Sequence, residues 1–464
     1  MTKSLGLIGL LALAACAAAT EKVADSQQEM SPTDRLFVGA ASPYPADLTL
    51  RGELPALRAS QAARREQAWK IAQRVLEPVS LDPHTVAGAP RTLPRFQTWY
   101  SKEEVLPILD HILRSQSPAD LAAHRKLTEA QIQAGFDWIA QRAIGTAAGS
   151  ADKIASRRQE LDLDGDQSLG GPERVLMSPE VLTHLFRNYD SIIACMRRFP
   201  AAEDAPPSED NFAPCVGTEF PEGAVIVKAK WVPNTLPLDA WDTSADALAT
   251  ALTAGQWGTA PRTASPDPLH IYEMTLASGI RHRLAALHIM SKELRDWAWV
   301  SLFWSDQPNT DFGADRPVDF GGALAAPLSN YKMCTAVAFD EQDDGSSLAS
   351  ADPTLQAADG ATRAFGPRTW CSNPYLEEGE HNAKTNCIGC HQHAGTDLDT
   401  TSIIQGDHAF PDGSREQLRK NFPADYTFIT STGLALAAQM QAKVNQLAPP
   451  PRKPGPPPDG QSTH

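Results

Sequence analysis

Two thiols and an imidazole stand together in Cys387-Ile388-Gly389-Cys390-His391. The run is C-x-x-C-H. Cysteines three positions apart match the reach needed to add to the two vinyl groups of one haem. The histidine that follows is then carried beneath the porphyrin as an iron ligand. Other chemistries also use paired cysteines. A zinc site needs a second ligand pair, and no other C-x-x-C occurs in the chain. A dithiol redox centre belongs in a βαβ setting, which the flanking Lys384-Thr385-Asn386 and Gln392-His393-Ala394-Gly395 do not suggest. The residues therefore favour one covalent haem on Cys387 and Cys390 with His391 as proximal ligand, in an exported chain.

A second constellation is Asp162-Leu163-Asp164-Gly165-Asp166-Gln167-Ser168-Leu169-Gly170-Gly171-Pro172-Glu173. Its spacing fits a twelve-residue calcium loop and resembles the EF-hand. Asp162, Asp164 and Asp166 supply oxygens at positions one, three and five, and Ser168 offers its carbonyl at seven. Glu173 closes the loop as the bidentate ligand at twelve. A helix over 151–161 is expected to enter the loop, and one over 173–185 to leave it. Gln167 stands where the sharp turn prefers glycine, at a cost of about 1–2 kcal/mol for a left-handed residue. Such a loop occurs once in the chain, which fits a structural Ca2+ site better than a paired sensor. The alternative is an acidic surface turn.

Export is written at the start of the chain. Lys3 precedes an apolar run, Leu5–Ala15, too short to span a bilayer. Leu13-Ala14-Ala15-Cys16 resembles a bacterial lipobox. The resemblance implies removal of residues 1–15 and acylation of Cys16. The acyl chains would anchor the protein at about 0.8 kcal/mol per buried methylene. Residues 16–59 then read as a tether. Ala17 is not aspartate, which favours the outer membrane. The expected location is the envelope of a Gram-negative-type bacterium, facing the periplasm. Of seven cysteines, Cys16 goes to lipid and Cys387 and Cys390 to haem. Cys195, Cys215, Cys334 and Cys371 remain, an even number in an oxidising compartment. Local pairing, Cys195–Cys215 and Cys334–Cys371, is expected among three connectivities, with free buried thiols as the alternative.

The elements that position these groups can be read coarsely. The chain has 464 residues, 42% apolar and 21% charged, enough for two or three globular domains. Its net charge of -15 excludes a phosphate-binding surface and so nucleic acid as partner, while a basic redox partner protein remains compatible. Residues 60–197 read as helical. Ala62–Leu76 has helical spacing, Ser101 with Glu104 forms a capping box, and Thr128 with Gln131 repeats that start. In 217–340 the period switches to two. Val225, Val227, Ala229 and Trp231 alternate with Ile226, Lys228 and Lys230, the lysines reading as a solvated face. Leu269–Leu276, Arg283–Ile289 and Trp297–Trp304 read as further antiparallel strands. Trp297, Trp299 and Trp304 read as core, or as an aromatic wall facing the haem. Residues 340–361 read as a loop, Gly433–Leu447 as a closing helix, and 448–464 as a Pro-rich disordered tail. The fold class expected is α+β: a helical N-terminal region, a β-rich middle, and a small all-α haem domain over 371–447.

That last segment resembles cytochrome c, on the strength of Cys387-Ile388-Gly389-Cys390-His391. With its leader, the chain resembles bacterial cytochrome c-domain lipoproteins. The resemblance implies haem c, His391 as proximal ligand and an axial methionine downstream. Met440 is the downstream methionine, within a helical run rather than a Pro-flanked loop. His408 lies in a loop at a workable distance. His393 is too close to His391 to reach the opposite haem face easily; His381, His288, Met290 and Met333 are further candidates, as is an open iron. Two strong ligands imply electron transfer in the cell envelope. An open iron implies a haem oxidoreductase of peroxidase type. A third reading is a calcium-stabilised binding protein with structural or sensory haem. For the calcium loop the expected outcome is a Tm that rises with added Ca2+ in the wild type and not in Asp162→Ala, measured by thermal denaturation with and without chelator.

Overall fold

The computed structural model describes residues 39–80, 92–140, 173–194, 219–275, 281–339, 341–365, 370–377, 381–394, 425–428 and 435–448. These form one compact unit. The leader and Cys16, the entry helix and Asp162 to Pro172 of the calcium loop, Cys195, Cys215, His408 and residues 449–464 lie outside them. Among the described residues no helix is long and apolar enough to cross a membrane.

The centre is a seven-stranded antiparallel sheet. Its strands are β1 (Tyr100–Ser101), β2 (Glu173–Met177), β3 (Val225–Pro233), β4 (Glu273–Thr275), β5 (Arg281–Ser291), β6 (Ala298–Trp304) and β7 (Tyr331–Ala336). They lie in the order β7–β6–β5–β3–β2–β1, and β4 pairs the Arg281 end of β5 on its β6 side. Every residue of β6 and β7 is buried, so the sheet is covered on both faces. Alternation along the strands then decides which residues meet which cover.

On one face, Lys228, His288, Ser301 and Cys334 are direct cross-strand partners, forming a row across β3, β5, β6 and β7. The next row on that face is Ile226, Met290, Trp299 and Ala336. Val227, Leu287, Ile289, Val300, Leu302 and Met333 point the other way and are buried in one cluster with Trp69, Ile71 and Val75 of α1 (Gln61–Leu76). Helix α2 (Lys102–Arg114) starts from the Ser101–Glu104 capping box, with the Ser101 amide donating to Glu104 at 2.7 Å. Helix α3 (Glu129–Ala140) packs on α2 and starts from the reciprocal Thr128–Gln131 pair. Helix α4 (Pro179–Arg187) follows β2.

Several expectations change. The helix expected to leave the calcium loop at Glu173 is a strand as far as Met177, and α4 begins only at Pro179. Val175, Leu176 and Met177 have an open edge of β3 to pair with, and that ladder outweighs helix propensity. Residues 60–197 and 217–340 are therefore not separate layers, since β1 and β2 extend the same sheet. The reading of 16–59 as a tether fails from about residue 41. Tyr44, Leu50 and Leu57 are buried, and the Tyr44 hydroxyl donates to Glu293 at 3.0 Å. The loop read over 340–361 contains the start of α6 (Pro353–Phe365), which buries Leu355, Ala358 and Thr362 and packs against α5 (Ala245–Ala254). Strand β7 was not anticipated.

One buried polar cluster ties α1 to the sheet. Arg65 is 1% exposed. It donates to the Met333 carbonyl at 2.7 Å, to the Phe312 carbonyl at 2.8 Å and to both oxygens of Asp315 at 2.6 and 2.7 Å. Burial raises the Asp315 carboxyl, but the Arg65 charge and the hydrogen bonds from Arg65 and Trp69 outweigh it and hold it below the usual carboxylate range. Asp315→Ala leaves a buried guanidinium without its counter-ion, and a loss of about 3–5 kcal/mol is expected in urea unfolding at neutral pH. Because the folded value is depressed, this contribution is complete above the ordinary carboxylate pKa and fades as pH falls through the folded one. The gap between wild type and Asp315→Ala should narrow accordingly in acid.

Candidate functional site

The Cys387–His391 run forms α7, a helix of five residues. Five residues do not hold a helix by themselves. Asn386 caps it, its side-chain oxygen accepting the amides of Ile388 at 2.9 Å and Gly389 at 3.3 Å. The residues before it are joined to 370–373. The Cys371 amide donates to the Thr385 carbonyl at 3.1 Å, Trp370 Nε1 to the Ala383 carbonyl at 2.7 Å, and Ser372 Oγ to the Asn382 carbonyl at 2.7 Å.

Segment 371–377 is joined in turn to the sheet, residue against residue along one row. Cys371 lies over Cys334, with the sulfurs at 2.07 Å and the Cα atoms at 5.2 Å. Asn373 Nδ2 donates to Ser301 Oγ at 2.9 Å and to the Leu302 carbonyl at 3.0 Å. Glu377 Oε1 lies 3.4 Å from His288 Nε2. The chain thus crosses β7, β6 and β5 in order before it turns into α7.

His391 stands on the adjacent row. Its ring lies against Trp299 with centroids 4.6 Å apart, and against Phe428 at 5.1 Å. Its Nδ1 is 2.7 Å from the Tyr426 carbonyl. A carbonyl only accepts, so Nδ1 carries the proton and Nε2 is the atom with a free lone pair. Burial is the main reason that His391 is pushed down to about 4. The hydrogen bond to Tyr426 opposes the shift and the Lys228 charge adds to it. The imidazole is therefore neutral at ordinary pH.

The two thiols are half-buried. Burial pushes Cys390 up to about 12, with Glu377 adding to the shift and Lys228 opposing it. Cys387 is pushed up as well, by burial first and by Glu377 and Cys390 after it. His288 is driven well below its ordinary value by burial, Lys228 and His391, although its side chain keeps 24% of its surface. Lys228 and Glu377 thus lie close enough to α7 for their charges to act on its ionisable groups, and His288 is close enough to feel His391. A reactive dithiol needs a lowered thiol pKa, and here both are raised. Among the described residues no three His, Cys, Asp or Glu side chains converge to hold a bare metal ion. The donor set fits a covalently attached haem: two thiols on one helical turn, with a neutral imidazole whose second nitrogen is already committed to a carbonyl.

The other candidate ligands fall in different places. Met333 pairs with Leu302 and points to the face away from His391. Met290 pairs with Trp299 and shares the face of His288. Met440 is fully buried on α8 (Ala435–Leu447), which packs against α2 and the short helix Pro118–Ala122. His393 is 5% exposed, with Nε2 3.5 Å from Gln392 Nε2. His381 occupies a left-handed turn, φ 63°. Glu377, Tyr426, Phe428 and the role of Lys228 were not anticipated. The available signal was the presence of Lys228 and His288 inside otherwise apolar strands, where a polar residue needs a reason. No family model, no curated protein and no solved structure matches this chain.

In protein made without haem, Cys390 is expected to alkylate at pH 8 on the order of a thousandfold more slowly than a free cysteine, because its thiolate is so scarce. Its rate should still be climbing at pH 10, where a free thiol has levelled off. Iodoacetamide labelling followed by mass spectrometry reads both.

Proposed function

We propose that this chain is an exported, lipid-anchored c-type cytochrome that passes electrons to a partner protein in the bacterial cell envelope. One covalent haem is held by Cys387, Cys390 and His391, in a cytochrome c-like helical segment fused to a sheet. The observation that carries the reading is the state of His391. It is neutral, its Nδ1 donates to Tyr426, and its ring is fixed between Trp299 and Phe428. When bound, haem would supply a one-electron couple. Cys387 and Cys390 would hold it covalently, Nε2 of His391 would be the nitrogen left to bind its iron, and Trp299 and Phe428 would shield the imidazole from water. The acidic net charge favours a basic docking partner. Lipidation at Cys16 and calcium at Asp162, Asp164, Asp166, Ser168 and Glu173 belong to the same proposal.

One observation favours a second reading, a haem oxidoreductase with an open iron. His288 and Glu377 form an imidazole–carboxylate pair beside α7, 3.4 Å apart. Such a pair suits proton transfer to a bound small molecule.

The expected result is a haem stain that survives denaturing electrophoresis in the wild type and is lost in Cys387→Ala/Cys390→Ala. A stain retained by the double variant overturns the proposal. Optical spectra of the reduced protein with carbon monoxide decide between the two readings. Electron transfer predicts a low-spin spectrum that does not change, and the oxidoreductase predicts a high-spin spectrum that does.

A further inference from the structure

The Tyr426 carbonyl that accepts from His391 is itself held in an unusual way. Asp425 and Tyr426 both have left-handed backbone, φ 38° and 68°, and Trp297 has φ 63°. None is glycine, and a left-handed backbone crowds the Cβ of any other L-residue. Strain of this kind persists where the surroundings over-determine it, and here they do. The turn between β5 and β6, Lys292 to Trp297, grips Asp425 from two sides. Lys292 is 0% exposed. Its Nζ donates to Asp425 Oδ1 at 2.9 Å, pairs with Oδ2 at 2.7 Å, and donates to the Arg295 carbonyl at 2.6 Å. Trp297 Nε1 donates to the Asp425 carbonyl at 2.8 Å, and its ring lies 5.2 Å from Nζ. The Phe220 amide donates to Asp425 Oδ2 at 2.9 Å. Both carboxylate oxygens and the carbonyl of Asp425 are thus occupied, and the next carbonyl along the chain is the one on His391.

We propose that Lys292, Trp297 and Asp425 form a positioning clamp that fixes the Tyr426 carbonyl on Nδ1 of His391, and so sets both the tautomer of the imidazole and its strength as an iron ligand. The consequence for the iron rests on the cytochrome reading; the consequence for the tautomer does not. A carbonyl held on Nδ1–H makes Nε2 the better donor, which favours the oxidised iron. The couple would then be tuned by an ion pair that touches neither haem nor its ligand.

Two variants test this. Asp425→Gly removes the carboxylate but keeps a residue for which positive φ costs nothing. Trp297→Phe removes one N–H donor. The readouts are the exchange rate and tautomer of the His391 Nδ1–H in protein labelled with 15N-histidine, and the reduction potential of the haem protein. The expected result is a single Nδ1–H tautomer with a protected proton in the wild type. In Asp425→Gly exchange should be at least about tenfold faster, as for a lost hydrogen bond, and the potential should be more positive. Trp297→Phe should move both in the same direction by less, and it decides the matter if Asp425→Gly does not fold. Variants that lower Tm while leaving exchange and potential at wild-type values assign the clamp a purely structural role and overturn the proposal. Should the wild type carry no covalent haem, the cytochrome reading fails, and the tautomer and exchange of the unloaded protein still decide the clamp.

Discussion

The candidate site depends on one row of a sheet that is buried on both faces. Lys228, His288, Ser301 and Cys334 are cross-strand partners, and each meets the chain that leads into α7 or the site α7 builds. Cys334 takes Cys371, Ser301 takes Asn373, and His288 meets Glu377. A sheet row has a fixed spacing between strands. The segment laid along it is therefore placed to within the tolerance of a hydrogen bond, and the five-residue helix at its end inherits that placement. A helix this short has no cooperative stability of its own. Its geometry is a property of the sheet.

Burial does the electrostatic work. It raises both thiols, lowers both imidazoles, and in doing so separates the chemistries open to a C-x-x-C-H run. A dithiol oxidoreductase stabilises thiolate with positive charge or a helix N-terminus. Here the largest influence after burial is Glu377, which opposes thiolate, and Lys228 offsets it only at Cys390. The same desolvation disfavours the charged form of His391 and strengthens its bond to the Tyr426 carbonyl, since a hydrogen bond gains in a medium of low dielectric.

Much of this was legible in the residues, and the failures have a common cause. Local signals held. The Ser101–Glu104 box, the Thr128–Gln131 pair, the helix near 61–76, the alternation from Val225 and the strand across Trp299 are all present. They are encoded within one turn or one strand. The signals that failed depend on a partner far along the chain. Glu173–Met177 becomes a strand because β3 offers it an edge, and Pro353–Phe365 becomes a helix because α5 offers its apolar side a neighbour. Lys228 looked solvated because its alternation with valines is that of a half-exposed strand; residues 371–377 and α7, which lie over that face, are not local to it. At the site, Cys387, Cys390 and His391 are close in sequence already, and the fold adds that they share one short helix. Tyr426 contributes a backbone carbonyl, which no side-chain pattern encodes.

The length of chain before α7 then has a physical use. The segment that carries α7 leans on strands drawn from 225–336, on a helix cap at Asn386, and on a buried pair between Asp425 and Lys292 of the β5–β6 turn. Removing one partner of such a pair leaves an uncompensated buried charge, at a cost of about 3–5 kcal/mol. The contacts that hold His391 are thus among the contacts that hold the sheet, and a change in one is felt by the other. In this architecture the placement of His391 and the stability of the fold are coupled through the β5–β6 turn. That coupling favours a rigid site over a pocket that must open and close.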